Sequence, residues 1–216
     1  MSRCTAILLA LVLCAASLTA RTSGGDRAAV PADVAAAIER VNGVAGGIRT
    51  MTCRFSQTKH LAMLRDEMQS SGTMAFVSPS RLRWEYTEPY SYRFIFNGDR
   101  VYVGNDAGSN VIDTRTNRMF GEIARLIINT VTGHIIDSAD DFTFELTPGD
   151  KTSTFTLTPR KRELRQLISS IDLTFDNSGY NIQSVTLREK NGDHTDILLH
   201  DIQLNKPVNE NLFAID

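Results

Sequence analysis

The chain has 216 residues and a mass of 23.9 kDa, and 42% of the residues are hydrophobic, enough to bury one ordinary core. A formal net charge of -2 excludes nucleic-acid binding through bulk positive charge. Three cysteines exclude a disulfide-built scaffold, and 14 glycines and 6 prolines without a polar tract argue against disorder.

Residues 1–20 read as a secretory signal peptide. Arg3 gives a positive n-region and residues 6–16 a short apolar h-region. Ala15, Ala16, Ser17 and Ala20 are small, which suits cleavage after Ser17 or after Ala20. The apolar run is shorter than the roughly 20 residues of a spanning helix. Residues 21–30 read as a flexible leader, and residues 31–216 as one exported domain. Two alternatives stand beside this reading. One is an uncleaved N-terminal anchor. The other is a lipoprotein signal with Cys14 acylated; Leu11 and Val12 suit it, but Leu13 stands where the peptidase wants a small residue. Once the signal is removed, Cys53 is the sole cysteine and no intramolecular disulfide is possible.

The first element is a helix from Pro31 to Asn42. Val34, Ile38 and Val41 recur at helical spacing, and Gly43, Gly46 and Gly47 are expected to end it. The period then changes to two. Leu82, Trp84 and Tyr86 alternate with charged residues, and Tyr90, Tyr92, Phe94 and Phe96 with Ser91, Arg93 and Ile95. Phe142, Phe144 and Leu146 repeat the pattern, as do Ile171, Leu173 and Phe175. Asn97-Gly98, Pro148-Gly149, Ser178-Gly179 and Asn191-Gly192 punctuate the strands and imply hairpins, hence an antiparallel meander. A second helix is expected over residues 117–132, with a wide apolar face that includes Met119, Phe120, Ile123, Ile127 and Val131. The fold class is α+β and mainly β: a strongly curved antiparallel sheet with two helices over its concave face. That geometry makes a container.

The chemistry scan finds no Gly-x-Ser-x-Gly elbow, no phosphate loop and no His-Glu-x-x-His. No catalytic residue, metal or cofactor is expected. His194, Asp196 and His200 share a strand face, but six residues at about 3.3 Å each span roughly 20 Å, too far for both rings to hold one ion. His134 reads as helix-dipole pairing and Cys53 as a small buried hydrophobe. Asp137, Asp140 and Asp141 lack a calcium-loop pattern and read as a solvated turn. Arg160-Lys161-Arg162 with Arg165 reads as a loop in water, of interest for anionic lipid or an acidic partner only at a cavity mouth.

One ordered set of motifs covers nearly all of the chain after the signal. It runs through Phe55-Ser56-Gln57, Gly72-Thr73-Met74-Ala75-Phe76 and Pro79-Ser80-Arg81-Leu82-Arg83-Trp84-Glu85-Tyr86 with Pro89. Asn97-Gly98-Asp99, Phe155-Thr156-Leu157-Thr158-Pro159 and Asn211-Leu212-Phe213 follow. This order resembles the LolA family of periplasmic lipoprotein carriers. The resemblance implies an unclosed β-barrel with a helical lid and a cavity that takes up acyl chains. It implies receipt of lipoproteins from an inner-membrane transporter and delivery to an outer-membrane acceptor. A carrier or sensor of another lipid (phospholipid, glycolipid or a lipid-like precursor) is open as an alternative, as is a LolB-type anchored acceptor. A monomer is expected.

Met74, Phe76, Leu82, Trp84, Tyr86, Phe94 and Phe96 suit the cavity wall, and Phe120, Ile123, Ile127 and Val131 the lid. Truncating Trp84, or placing a charge at Leu82, is expected to weaken uptake with the domain intact. One departure stands out. The family pattern often carries an arginine before the proline, where it latches the lid, and here that position is Ser78.

Overall fold

The computed structural model describes residues 31–63, 67–105, 107–117, 121, 127–130, 132 and 142–215. The expected signal peptide and leader lie outside the described residues. So do Phe120, Ile123 and Val131 of the expected lid, with His134 and the three aspartates after it.

Helix α1 (Ala32–Gly46) buries Val34, Ile38, Val41 and Ala45 on one face. The sequence reading ended it at Gly43, and the structure corrects this. Ala45 adds a fourth buried residue to the stripe, which offsets the roughly 1 kcal/mol that Gly43 costs inside a helix.

Eleven strands follow among the described residues: β1 (Thr50–His60), β2 (Glu67–Val77), β3 (Arg81–Glu88), β4 (Tyr92–Asn97), β5 (Arg100–Asn105) and β6 (Gly108–Asp113), then β7 (Phe142–Pro148), β8 (Thr152–Pro159), β9 (Ile168–Asp176), β10 (Ile182–Glu189) and β11 (His194–Leu204). They form one antiparallel sheet in the order β6-β5-β4-β3-β2-β1-β11-β10-β9-β8-β7. Two meanders are thus joined through β1 and β11. β6 and β7 are the edges, so the sheet is not closed into a barrel. The hairpin signals hold where they matter most: Gly98 has φ 65° and Gly192 φ 93°, a region costly for side-chained residues.

The curvature follows from burial. Eleven flat strands would be about 48 Å across, while a helix covers only about 10–12 Å. Yet Val101 on β5 and Phe155 on β8, far apart in strand order, are both buried to 1% or less. The sheet must curl over itself to cover both.

Parity on β4 needs one correction. Ile95 was expected among the outward, polar positions, and it is 3% exposed. It packs with Ala75 and Phe213 in a second cluster, because the C-terminal segment crosses the outer face there. Tyr90, expected in the β4 alternation, instead precedes the strand and is exposed.

Candidate lipid-binding site

The strand register builds the concave wall row by row. Trp84 faces Met74 on β2 and Phe94 on β4, and Leu82 faces Phe76 and Phe96. Tyr86 lies beside Gly72 on the same face. The structure therefore brings together all seven residues expected of the wall. All are buried in one cluster, which α1 enters through Val34, Ile38 and Val41. Of the four expected lid positions, Ile127 is described. It is half-buried, lies in a helical stretch and packs against that same cluster. Its neighbour Ile128 is buried there too.

Sequence reasoning missed the part of the wall contributed by β1. Phe55 packs its ring 4.5 Å from Trp84 and 5.2 Å from Tyr86, centroid to centroid. The Tyr86 hydroxyl donates to Gln57 Oε1 at 3.0 Å, and burial pushes its phenol pKa up. Cys53 is on this strand as well. Burial pushes its thiol up to about 12, which disfavours the thiolate.

One end of the wall is polar. Gln57 and Lys59 continue the inward parity of Phe55, and both are buried. Lys59 Nζ lies 2.5 Å from Glu189 Oε1 on β10. Thr195, opposite Lys59 on β11, and Ser70, opposite Gln57 on β2, are buried with hydroxyls that have no hydrogen-bond partner among the described residues. A pocket of about 260 Å³ opens here, lined by Gln57, Lys59, Met68, Gln69, Ser70, Pro89 and Tyr90.

The outer face holds the remaining clusters. His194 and His200 lie six residues apart on one face, as the sequence reading had it. The partner it missed is His60, which β1 places directly opposite His194 with the rings stacked at 4.1 Å. His60, His194 and Asp196 present donor atoms within 4.8 Å of one another. Both ring nitrogens of His60 already face carboxylates, Glu67 at 3.1 Å and Asp196 at 3.3 Å, so its polar atoms are engaged within the protein. The basic run after β8 forms a one-turn helix (Arg162–Arg165), and Arg160 Nε donates to the Phe142 carbonyl.

A family model described as "Outer membrane lipoprotein carrier protein LolA" matches residues 46–216. The chain belongs to the LolA family. Among similar proteins, an outer-membrane lipoprotein carrier protein of Pseudomonas paraeruginosa is 23% identical over 185 residues, 86% of each chain. One of Chromohalobacter salexigens is 25% identical over 152 residues, 68% of this chain and 67% of the other. Among solved structures, an uncharacterized conserved protein from Thermus thermophilus superposes with a TM-score of 0.52 at 7% identity, over 84% of this chain and 92% of that one. MucB, from Pseudomonas aeruginosa in its complex with MucA, gives 0.51 at 11%, over 84% and 61%. These likenesses show the fold.

The sequence reading expects a family arginine where Ser78 stands, with Arg81 and Arg83 the arginines nearby. Arg81 and Arg83 point to the outer face. Arg81 pairs with Glu210 at 3.2 Å, and Arg83 binds Glu85 at 2.8 Å and the Leu212 carbonyl at 3.1 Å. Both hold the C-terminal segment, on the side of the sheet away from α1.

Proposed function

We propose that this LolA-family protein sequesters the acyl chains of lipoproteins and carries them through the periplasm. Residues 1–20 direct export, and residues 31–216 form the carrier domain. An inner-membrane transporter loads it and an outer-membrane acceptor unloads it.

The observation that supports this reading is the inner face itself. It is apolar from Val101 on β5 through Leu82, Trp84 and Phe55 to Phe155 on β8, and α1 and Ile127 cover it. Each acyl CH2 left in water costs about 0.8 kcal/mol, so a chain of about 14 to 16 carbons costs on the order of 10 kcal/mol. A carrier must supply that apolar area and then give it up. It needs no nucleophile. It needs a wall that the protein covers when empty and a cover that yields to cargo. Met74 in the wall adds an adaptable side chain.

The test is release. The purified protein is incubated with spheroplasts of its source cell, and newly made lipoproteins are sought in solution as a one-to-one complex. Their release supports the carrier reading. One observation favours a second reading: Ser78 stands where the latch arginine is expected, and Arg81 and Arg83 are engaged on the other face. No lipoprotein release, with phospholipid or glycolipid found bound by native mass spectrometry, selects this second reading.

A further inference from the structure

We propose that the pocket floored by Lys59 and Ser70 seats the glyceryl-ester end of a diacylated cargo, with its neutral carbonyl oxygens accepting from Ser70 Oγ and Lys59 Nζ. This rests on the carrier reading, and it assigns the polar end of the cargo to a definite place.

Four observations lead there. The first is an unmet hydroxyl. Ser70 is 8% exposed, lines the pocket, and has no hydrogen-bond partner at Oγ among the described residues. Leaving a buried polar group unpaired costs about 1–3 kcal/mol, and native proteins rarely tolerate it without a reason. Thr195 repeats the feature next to Lys59.

The second is charge. An ammonium has three donors, and Glu189 engages Lys59 through one oxygen. Donors remain, but the net charge of the pair is zero. A phosphate would have to compete with Glu189 and bring an uncompensated charge into a buried place. An ester carbonyl brings none.

The third is size. About 260 Å³ falls below the roughly 300–1,000 Å³ of sites that enclose whole drug-sized molecules. The acyl chains do not fit here, whereas a glyceryl unit with its ester groups does.

The fourth is position. Gln57 belongs to the pocket and also accepts from Tyr86 of the apolar wall. The polar seat and the wall are therefore contiguous, as head and tails of one lipid require. Tyr90, 62% exposed at the rim, and Met68 give the mouth an apolar border.

The experiment compares two pyrene-labelled probes of equal chain length, a diacylglycerol and an alkane without carbonyls. Both are titrated into the wild-type protein, Ser70→Ala, and the double variant Lys59→Met/Glu189→Leu, which removes both charges together. Circular dichroism checks the fold of each. The expected result is a loss of about three- to tenfold in diacylglycerol affinity in Ser70→Ala, with alkane affinity unchanged. The double variant shows the same selective loss. If folded Ser70→Ala binds both probes as wild type does, or loses both equally, the pocket does not hold the ester end and the carrier reading stands without it. Competition of inorganic phosphate against the diacylglycerol overturns the neutral assignment. A wild-type protein that binds neither probe ends the carrier reading itself, and the inference with it.

Discussion

Phe55 and Trp84 touch across an intervening strand. Their rings sit 4.5 Å apart at 36°, although β2 runs between β1 and β3. Gly72 permits it. A Cβ at this position would lie 2.8 Å from Phe55 Cζ and 1.9 Å from the Glu85 carbonyl oxygen. Backbone cannot step aside as a flexible side chain does. Gly72→Ala should therefore destabilise the protein by more than the ~1–3 kcal/mol of ordinary overpacking. Urea unfolding followed by circular dichroism measures it. An unchanged midpoint would mean that β2 and β3 can part without cost.

Phe213 fastens the C-terminal segment to the outer face. It is 1% exposed, Asn97 Nδ2 donates to its carbonyl at 3.0 Å, and the Arg81 guanidinium lies 5.6 Å from its ring centroid. Phe213→Ala should cost about 3–5 kcal/mol. Acyl-probe affinity should persist at temperatures where the variant stays folded, because the residue packs on the face away from the wall. Lost affinity in a folded variant would show that the two faces are coupled.

The inner face was legible where apolar residues alternate with charged ones, as at Leu82, Trp84 and Tyr86. It was not legible on β1, where Gln57 and Lys59 face inward. Polar residues at inward parity hide a strand from any reading keyed to hydrophobic alternation. Ile95 failed for the opposite reason. Its burial comes from Phe213, more than a hundred residues later in the chain, and no local pattern reports such a contact. The helix end at Gly43 was misplaced because the burial of Ala45 outweighs a local breaker. The His60–His194 pair needed the β1–β11 register, which joins the two ends of the sheet's chain path.

Asp176 organises the turn between β9 and β10. Partial burial opposes its charge, but hydrogen bonds from the Ser178 hydroxyl and from the Ser178, Gly179 and Asn181 amides outweigh it and hold the carboxyl below the usual range. A carboxyl with a depressed folded pKa stabilises the protein above its unfolded pKa, and that contribution is lost as pH falls through the folded one. Asp176→Asn should therefore lower the urea midpoint at pH 7. The gap to wild type should shrink as pH drops below about 4, near the ordinary aspartate value. A gap independent of pH would assign the cost to geometry and not to charge.

Ile127 offers the cleanest test of a moving cover. A charge at Leu82, which the sequence reading expected the domain to survive, is unsuitable: Leu82 is 0% exposed, and an ion there would be stripped of water. Trp84→Ala has a related defect, since a residue only 5% exposed leaves a hole in the core whether or not lipid binds. Ile127 is half-buried, so an aspartate there can still reach solvent. Ile127→Asp should cost about 1–3 kcal/mol and leave the far-ultraviolet circular dichroism unchanged. A charged cover sits poorly on the apolar cluster that Ile127 packs against. The variant should therefore bind more of a dye that reports apolar surface and release a bound acyl probe several-fold faster than wild type. If dye binding and release both match wild type, the helical stretch around 127 is fixed core, and cargo must enter past α1 instead.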